Sequence, residues 1–118
     1  MIDVNVMIPP MLEDIIPLEP QFPEVAPRFP LGILTPLDPG SGVILSGEER
    51  IAAVRFQIDV YDTRLQRCEE TALKISRRLI QRGFTRDAGG TIKENQLHRR
   101  TMTFSAKIDE HTGLIYRS

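Results

Sequence analysis

All nine prolines of the chain, Pro9, Pro10, Pro17, Pro20, Pro23, Pro27, Pro30, Pro36 and Pro39, lie in its first third, and none follows position 39. A proline removes a backbone donor, fixes φ at about −65° and pushes the preceding residue toward extended geometry. Residues 1–47 are therefore expected to form a proline-rich extended arm leading into an early strand. At most a short helical turn or two fits between Pro10 and Pro17, in MLEDII. Charge divides at nearly the same place. Residues 1–47 hold six acidic residues and one basic residue, Arg28, whereas residues 48–118 hold ten acidic and fourteen basic ones. A negative arm beside a positive body either folds back on its own chain or reaches onto a neighbouring subunit, and the sequence leaves both open. The arm also keeps Met7, Ile8, Met11, Leu12, Ile15, Ile16, Leu18, Phe22, Val25 and Phe29. That is more apolar surface than a disordered tail carries, so something should cover it. Met11, Ile15, Phe22 and Phe29 are the candidates for packing the arm against its own or another subunit. PLGILTPLDPGSG then reads as a short strand near Leu31 to Thr35 and a loop in which Gly40 and Gly42 suggest mobility.

The remainder is more regularly patterned. In VRFQIDVYDT, Val54, Phe56, Ile58 and Val60 alternate with Arg55, Gln57, Asp59 and Tyr61, the period of a strand with one buried face. Asp62 and Thr63 suit a helix entry, and Thr63 with Gln66 has the spacing of a capping box. Leu65, Cys68, Ala72, Ile75 and Leu79 then step by threes and fours, which predicts an amphipathic helix of about 20 residues. Gly83 supplies a left-handed stop and Phe84 its hydrophobic contact. DAGGTIKENQ breaks the pattern and reads as a loop or hairpin. Arg100, Met102, Phe104, Ala106 and Ile108 next alternate with Arg99, Thr101, Thr103, Ser105 and Lys107, a second long strand whose first inward position is imperfect. Asp109 to Gly113 form a turn, and Leu114 to Arg117 return as a short final strand.

A chain of 118 residues suits one compact domain with one core. The order of elements predicts an α+β fold of two layers: a mostly antiparallel sheet with one long helix packed on one face, preceded by the extended arm. The arm and early strand occupy residues 1–47 and the α/β body residues 48–118. The other sheet face then carries Arg55, Gln57, Asp59, Tyr61, Arg99, Thr101, Thr103 and Lys107.

Composition narrows the function. With 15 basic against 16 acidic residues, bulk charge does not announce a nucleic acid or an anionic membrane. The single cysteine, Cys68, rules out an internal disulfide and fits a reducing compartment. The opening MIDVNVMIPPMLEDIIP lacks the basic start and apolar run of a secretory signal, and no stretch approaches the roughly 18 apolar residues of a membrane span. The expectation is a soluble, intracellular protein.

Catalytic and cofactor chemistry finds little to use. A general base needs a positioned partner in a cleft, whereas alternation puts Asp59 on the polar face, as a solvated or partner-facing carboxylate near Arg55 or Arg99. Cys68 sits on the apolar stripe, as a small buried hydrophobe rather than a nucleophile. His98 and His111 are far apart, and the DEH of residues 109–111 suits a polar turn better than a metal shell. GSG at 40–42 and GG at 89–90 lack the spacing, lysine and following helix of a phosphate cradle. No catalytic, cofactor-binding or metal-ligating residue is assigned, and an enzyme is not expected. Arg77, Arg78, Arg82, Arg86, Arg99 and Arg100 leave a small nucleic-acid-binding protein as one alternative, although those on the helix also complement its C-terminal dipole.

The succession FQIDVYDTRLQRCEETALKISRRLIQRGF, followed by RRTMTFSAKIDEHTGLIYR, resembles the tail-terminator and head-to-tail joining proteins of tailed bacteriophages and prophages. The similarity spans about residues 29 to 117, with PLGILT matching the early strand. It rests on a strand with a polar turn, a helix with a GF exit, and a late arginine-led strand with a closing hairpin. The resemblance implies a structural neck protein, made in the host bacterial cytoplasm and ending in the virion. Such a subunit forms a ring, commonly a hexamer, that caps the tail tube and docks to the head connector or stopper. DNA is then only cargo passing through the lumen, and no membrane is involved. Another neck or tail component, a head-completion or stopper protein or a tail-tube subunit, is the nearest alternative. On this resemblance Arg55, Gln57, Asp59, Tyr61, Arg99 and Arg100 join the four arm residues as candidates for subunit or partner contact.

Overall fold

The computed structural model describes residues 2–25, 27–38, 43–46, 49–94 and 96–116. The elements are helix α1 (Val4–Leu12), strands β1 (Leu18–Glu19), β2 (Leu31–Leu37), β3 (Val43–Ser46) and β4 (Glu49–Asp62), helix α2 (Leu65–Gln81), and strands β5 (Thr85–Glu94), β6 (Leu97–Asp109) and β7 (Ile115–Tyr116). The fold is α+β. Its mixed seven-stranded sheet runs β1-β2-β4-β6-β5, with β3 beside β4 and β7 beside β6. Every pairing is antiparallel except that of β1 with β2. None of the helices among the described residues is long and apolar enough to cross a membrane.

The alternation in β4 and β6 does what the sequence predicts. Val54, Phe56, Ile58 and Val60 join Met102, Phe104 and Ile108 in a buried cluster with Cys68, Ala72, Ile75 and Leu79 of α2. Phe56 lies opposite Phe104 in the β4–β6 register, their rings stacked 5.7 Å apart, and Phe84 meets Phe56 edge-on at 5.4 Å. Gly83 (φ +103°) ends α2 as expected. Its N–H reaches the Ile80 carbonyl and that of Phe84 the Leu79 carbonyl, both at 3.0 Å, the paired bonds of a Schellman stop.

The first third departs from expectation. Val4–Leu12 is an α-helix with Pro9 and Pro10 inside it, opened by Asp3, whose carboxylate accepts the Asn5 N–H at 2.9 Å. Val4, Ile8, Leu12 and then Ile16 recur every fourth residue and are buried in the same core cluster as α2. An interior proline costs a helix about 3 kcal/mol, while burying a large aliphatic side chain gains about 1.5–3 kcal/mol. Three such side chains in the helix, with Ile16 buried just beyond it, offset the two prolines. Among the described residues there are therefore two helices rather than one, and residues 4–16 are a packed layer instead of an extended arm.

Smaller departures have equally local causes. The Thr63–Gln66 capping box is not formed, because Arg64 occupies the cap and Gln66 bonds Glu70 instead. Leu65 is half exposed rather than buried. The glycine-containing stretch read as a loop or hairpin is strand β5, one arm of a hairpin with β6 that turns with Gln96 at φ 67°. A Cβ on Gly89 would sit 2.9 Å from the Thr101 carbonyl oxygen, so the close pairing of β5 with β6 requires glycine there. The loop containing Gly40 and Gly42 lies outside the described residues. The molecule measures 52 × 26 × 25 Å, elongated along β4 and β6, whose ends carry β3 and β7.

Candidate functional site

The open sheet face, opposite the helices, holds most of the candidate contact residues. In register, Asp59 of β4 lies between Ile33 of β2 and Thr101 of β6, with Tyr61 beside Arg99. Asp59 is 4% exposed, which corrects the expectation of a solvated carboxylate. It accepts hydrogen bonds from Thr101 Oγ1 (2.6 Å), Gln57 Nε2 (2.9 Å) and Arg99 Nε (3.1 Å). Arg99 also stands 5.9 Å from the Tyr61 ring centroid, and Phe22 meets that ring edge-on at 5.1 Å. The segment after β1 thus crosses this face, where Leu31 and Ile33 are buried as well. A buried carboxylate needs such donors to remain charged. With three of them in place Asp59 knits β4 to β6. Further along the face Arg55 and Lys107 are exposed. Thr103 is buried with a hydroxyl that finds no partner.

The arm residues divide. Met11 and Ile15 are partly buried against the core, Phe22 is 40% exposed, and Phe29 is half-buried before the cis Phe29–Pro30 bond. A further link between the first third and the body is one that the sequence pattern did not single out. Arg78 of α2 donates to the Met11 carbonyl at 2.8 Å and forms a fork with both Asp14 oxygens at 2.8 Å. These hydrogen bonds from Arg78 hold the Asp14 carboxyl down at about 2. The negative first third therefore folds back on its own positive body. A groove of about 380 Å³ runs along this junction, lined by Asp14, Ile15, Thr71, Lys74, Arg77, Arg78 and Gln81.

The six arginines of the nucleic-acid alternative do not converge. Arg77, Arg78 and Arg82 lie on the α1 side of the molecule. Arg99 belongs to the open face, whereas Arg100 turns toward α2. There it donates to Thr91 at 3.2 Å and stands 4.0 Å from Glu69, which also accepts the Thr91 hydroxyl. Beside them a cleft of about 250 Å³ is lined by Glu69, Glu70, Ala72, Leu73, Arg86, Arg100 and Met102.

Other reactive groups are committed to structure. The Cys68 thiol is buried and donates to the Val60 carbonyl at 3.3 Å, and burial pushes its pKa up, away from a thiolate. Asp62, missed in the sequence except as a helix-entry residue, is fully buried and takes both Arg67 nitrogens at 2.6 Å and the Arg64 amide at 3.3 Å. Burial pushes its carboxyl up, but Arg67 and the amide together hold it below the ordinary range. The Asp109 carboxylate accepts the amides of His111 (2.8 Å) and Thr112 (3.3 Å), closing the turn to Gly113. Among the described residues there is no cluster of three or more His, Cys, Asp or Glu arranged for a metal ion. No family model matches the chain, and no curated protein matches it.

Proposed function

We propose that this protein is a structural subunit of the neck of a tailed bacteriophage, a tail terminator that assembles as a ring, caps the finished tail tube and joins it to the head connector. One observation carries the reading. The segments that resemble the family form one continuous unit, with FQIDVYD in β4, the helix and its Gly83–Phe84 exit in α2, and RRTMTFSAKID in β6 closing into β7. The commitment of Asp59 and Cys68 to packing and sheet bonding supports a scaffold rather than a catalyst.

In this reading the subunits, six to a ring, join by a repeated heterologous contact, and a closed ring leaves no growing end. One face of the ring meets the last tube layer and stops polymerisation, and the other offers the connector a docking surface. Arg55, Gln57, Tyr61 and Arg99 on the open sheet face supply partner or lumen contacts, with Asp59 holding them in place. DNA passes through as cargo. The test is a phage stock lacking this protein. It is expected to accumulate full heads and unjoined tails whose tubes run past the normal length. Normal particles made in its absence would overturn the reading.

A further inference from the structure

The two long sides of the sheet end differently. On the β2 side, β1 is two residues long and Pro17, Pro20 and Pro36 interrupt the edge. Short strands and prolines are how sheets blunt an edge against further pairing. On the far side β5 runs ten residues without proline and, among the described residues, pairs only β6; its register shifts between Arg86 and Ala88, which leaves Gly89–Glu94 as the regular part of the edge. A strand with its outer backbone groups unpaired is a template for another strand.

The helix above that edge is also left bare. Leu65, Leu73 and Ile80 of α2 are 48, 48 and 50% exposed, and the cleft that Leu73 lines with Ala72 and Met102 is rimmed by Glu69, Glu70, Arg86 and Arg100. Gly89, paired with Met102, brings no side chain to fill it. Helix α2 thus overhangs a sheet that is one strand short. The complementary deficit lies elsewhere in the chain. Strand β3, with the proline-free sequence VILS, pairs only β4 among the described residues. It does so at Glu49–Ala52, away from the Val54–Val60 stretch that α2 covers. β3 is a strand without a helix, and the β5 edge is a helix without a strand.

We propose that β3 of one copy adds to the β5 edge of the next, continuing the sheet beneath α2 and covering Leu73 and Ile80. β3 and β5 belong to opposite sides of the sheet, so the contact is head-to-tail and leaves one free edge at each end until a ring closes. The inference rests on the ring reading and names the surface that closes it.

Two variants test it by sedimentation velocity, with circular dichroism to confirm folding. Leu73→Glu with Ile80→Glu blocks the α2–β5 seam at half-exposed positions, and Ile44→Pro blunts β3, with Leu45→Arg in its place if Ile44→Pro disturbs the fold. Wild type is expected to form closed rings and each variant alone to stay monomeric. A one-to-one mixture is expected to stop at dimers, because only one productive contact remains. Rings that persist in either folded variant, a mixture that stays monomeric, or a wild type that never self-associates would overturn the contact. Rings insensitive to both variants leave the neck reading standing. Rings that behave as expected, from a protein that joins no heads to tails, leave the contact standing and remove the neck reading.

Discussion

Helices α1 and α2 pack into the same core for different reasons. In α2 the main local signals agree with the tertiary outcome: an apolar stripe from Cys68 to Leu79 at helical spacing, charged residues outside it, and a glycine stop. In α1 the local chemistry argues against a helix at Pro9 and Pro10, and burial of Val4, Ile8, Leu12 and Ile16 decides the matter. Propensity acts as a weak prior that tertiary packing overrides when enough apolar area is at stake. The contrast also explains the charge split, since the acidic first third is held by its own body through Arg78 and Asp14.

The comparison can be broken most forcefully in the core. Leu12→Ala in α1 and Ile75→Ala in α2, both at fully buried positions, are each expected to cost about 2–5 kcal/mol in urea denaturation. If the first third were a loose arm, Leu12→Ala would stay within about 0.5 kcal/mol of wild type, as surface substitutions do. The open face gives the next effect. Asp59→Ala leaves Arg99 without its buried partner and is expected to cost about 3 kcal/mol, whereas Arg55→Ala on the same strand, at an exposed position, should be nearly silent.

A smaller effect separates how the helices end. Gly83→Ala forces a side chain into the left-handed region and is expected to cost about 1–2 kcal/mol, shortening α2 without touching α1. The smallest concerns the link between the two. The Asp14 carboxyl lies at about 2 in the folded chain, below its ordinary 3.8. Its contribution is therefore complete above pH 3.8 and lost as pH falls through about 2. Asp14→Asn should flatten the stability profile across that window, and added salt should mimic it because the pair is exposed.

How much was legible follows from the same contrast. Strands β4 and β6, helix α2 and its Gly83–Phe84 stop were readable because period, cap and burial coincide there. The Val4, Ile8, Leu12, Ile16 repeat was present in the sequence too, but two prolines within it pointed the other way, and only the core shows which effect wins. β5 was legible only as a loop or hairpin, because its Gly89 answers a close approach to Thr101, a tertiary demand that reads locally as a break in the pattern. On the open face, alternation placed Asp59, Arg99 and Thr101 on one side correctly. It gave no hint that Gln57 and Thr101 would enclose the carboxylate, since depth on a face depends on neighbouring strands. The Arg78–Asp14 bond spans too many residues for any local pattern to carry.

We propose that this chain builds a terminating ring. Cryo-electron microscopy of intact particles with the subunit labelled tests it most directly. One ring layer, between the last tube layer and the connector, is expected in every joined particle. Label repeated along the tube, or absent from particles that are joined and infectious, would contradict it.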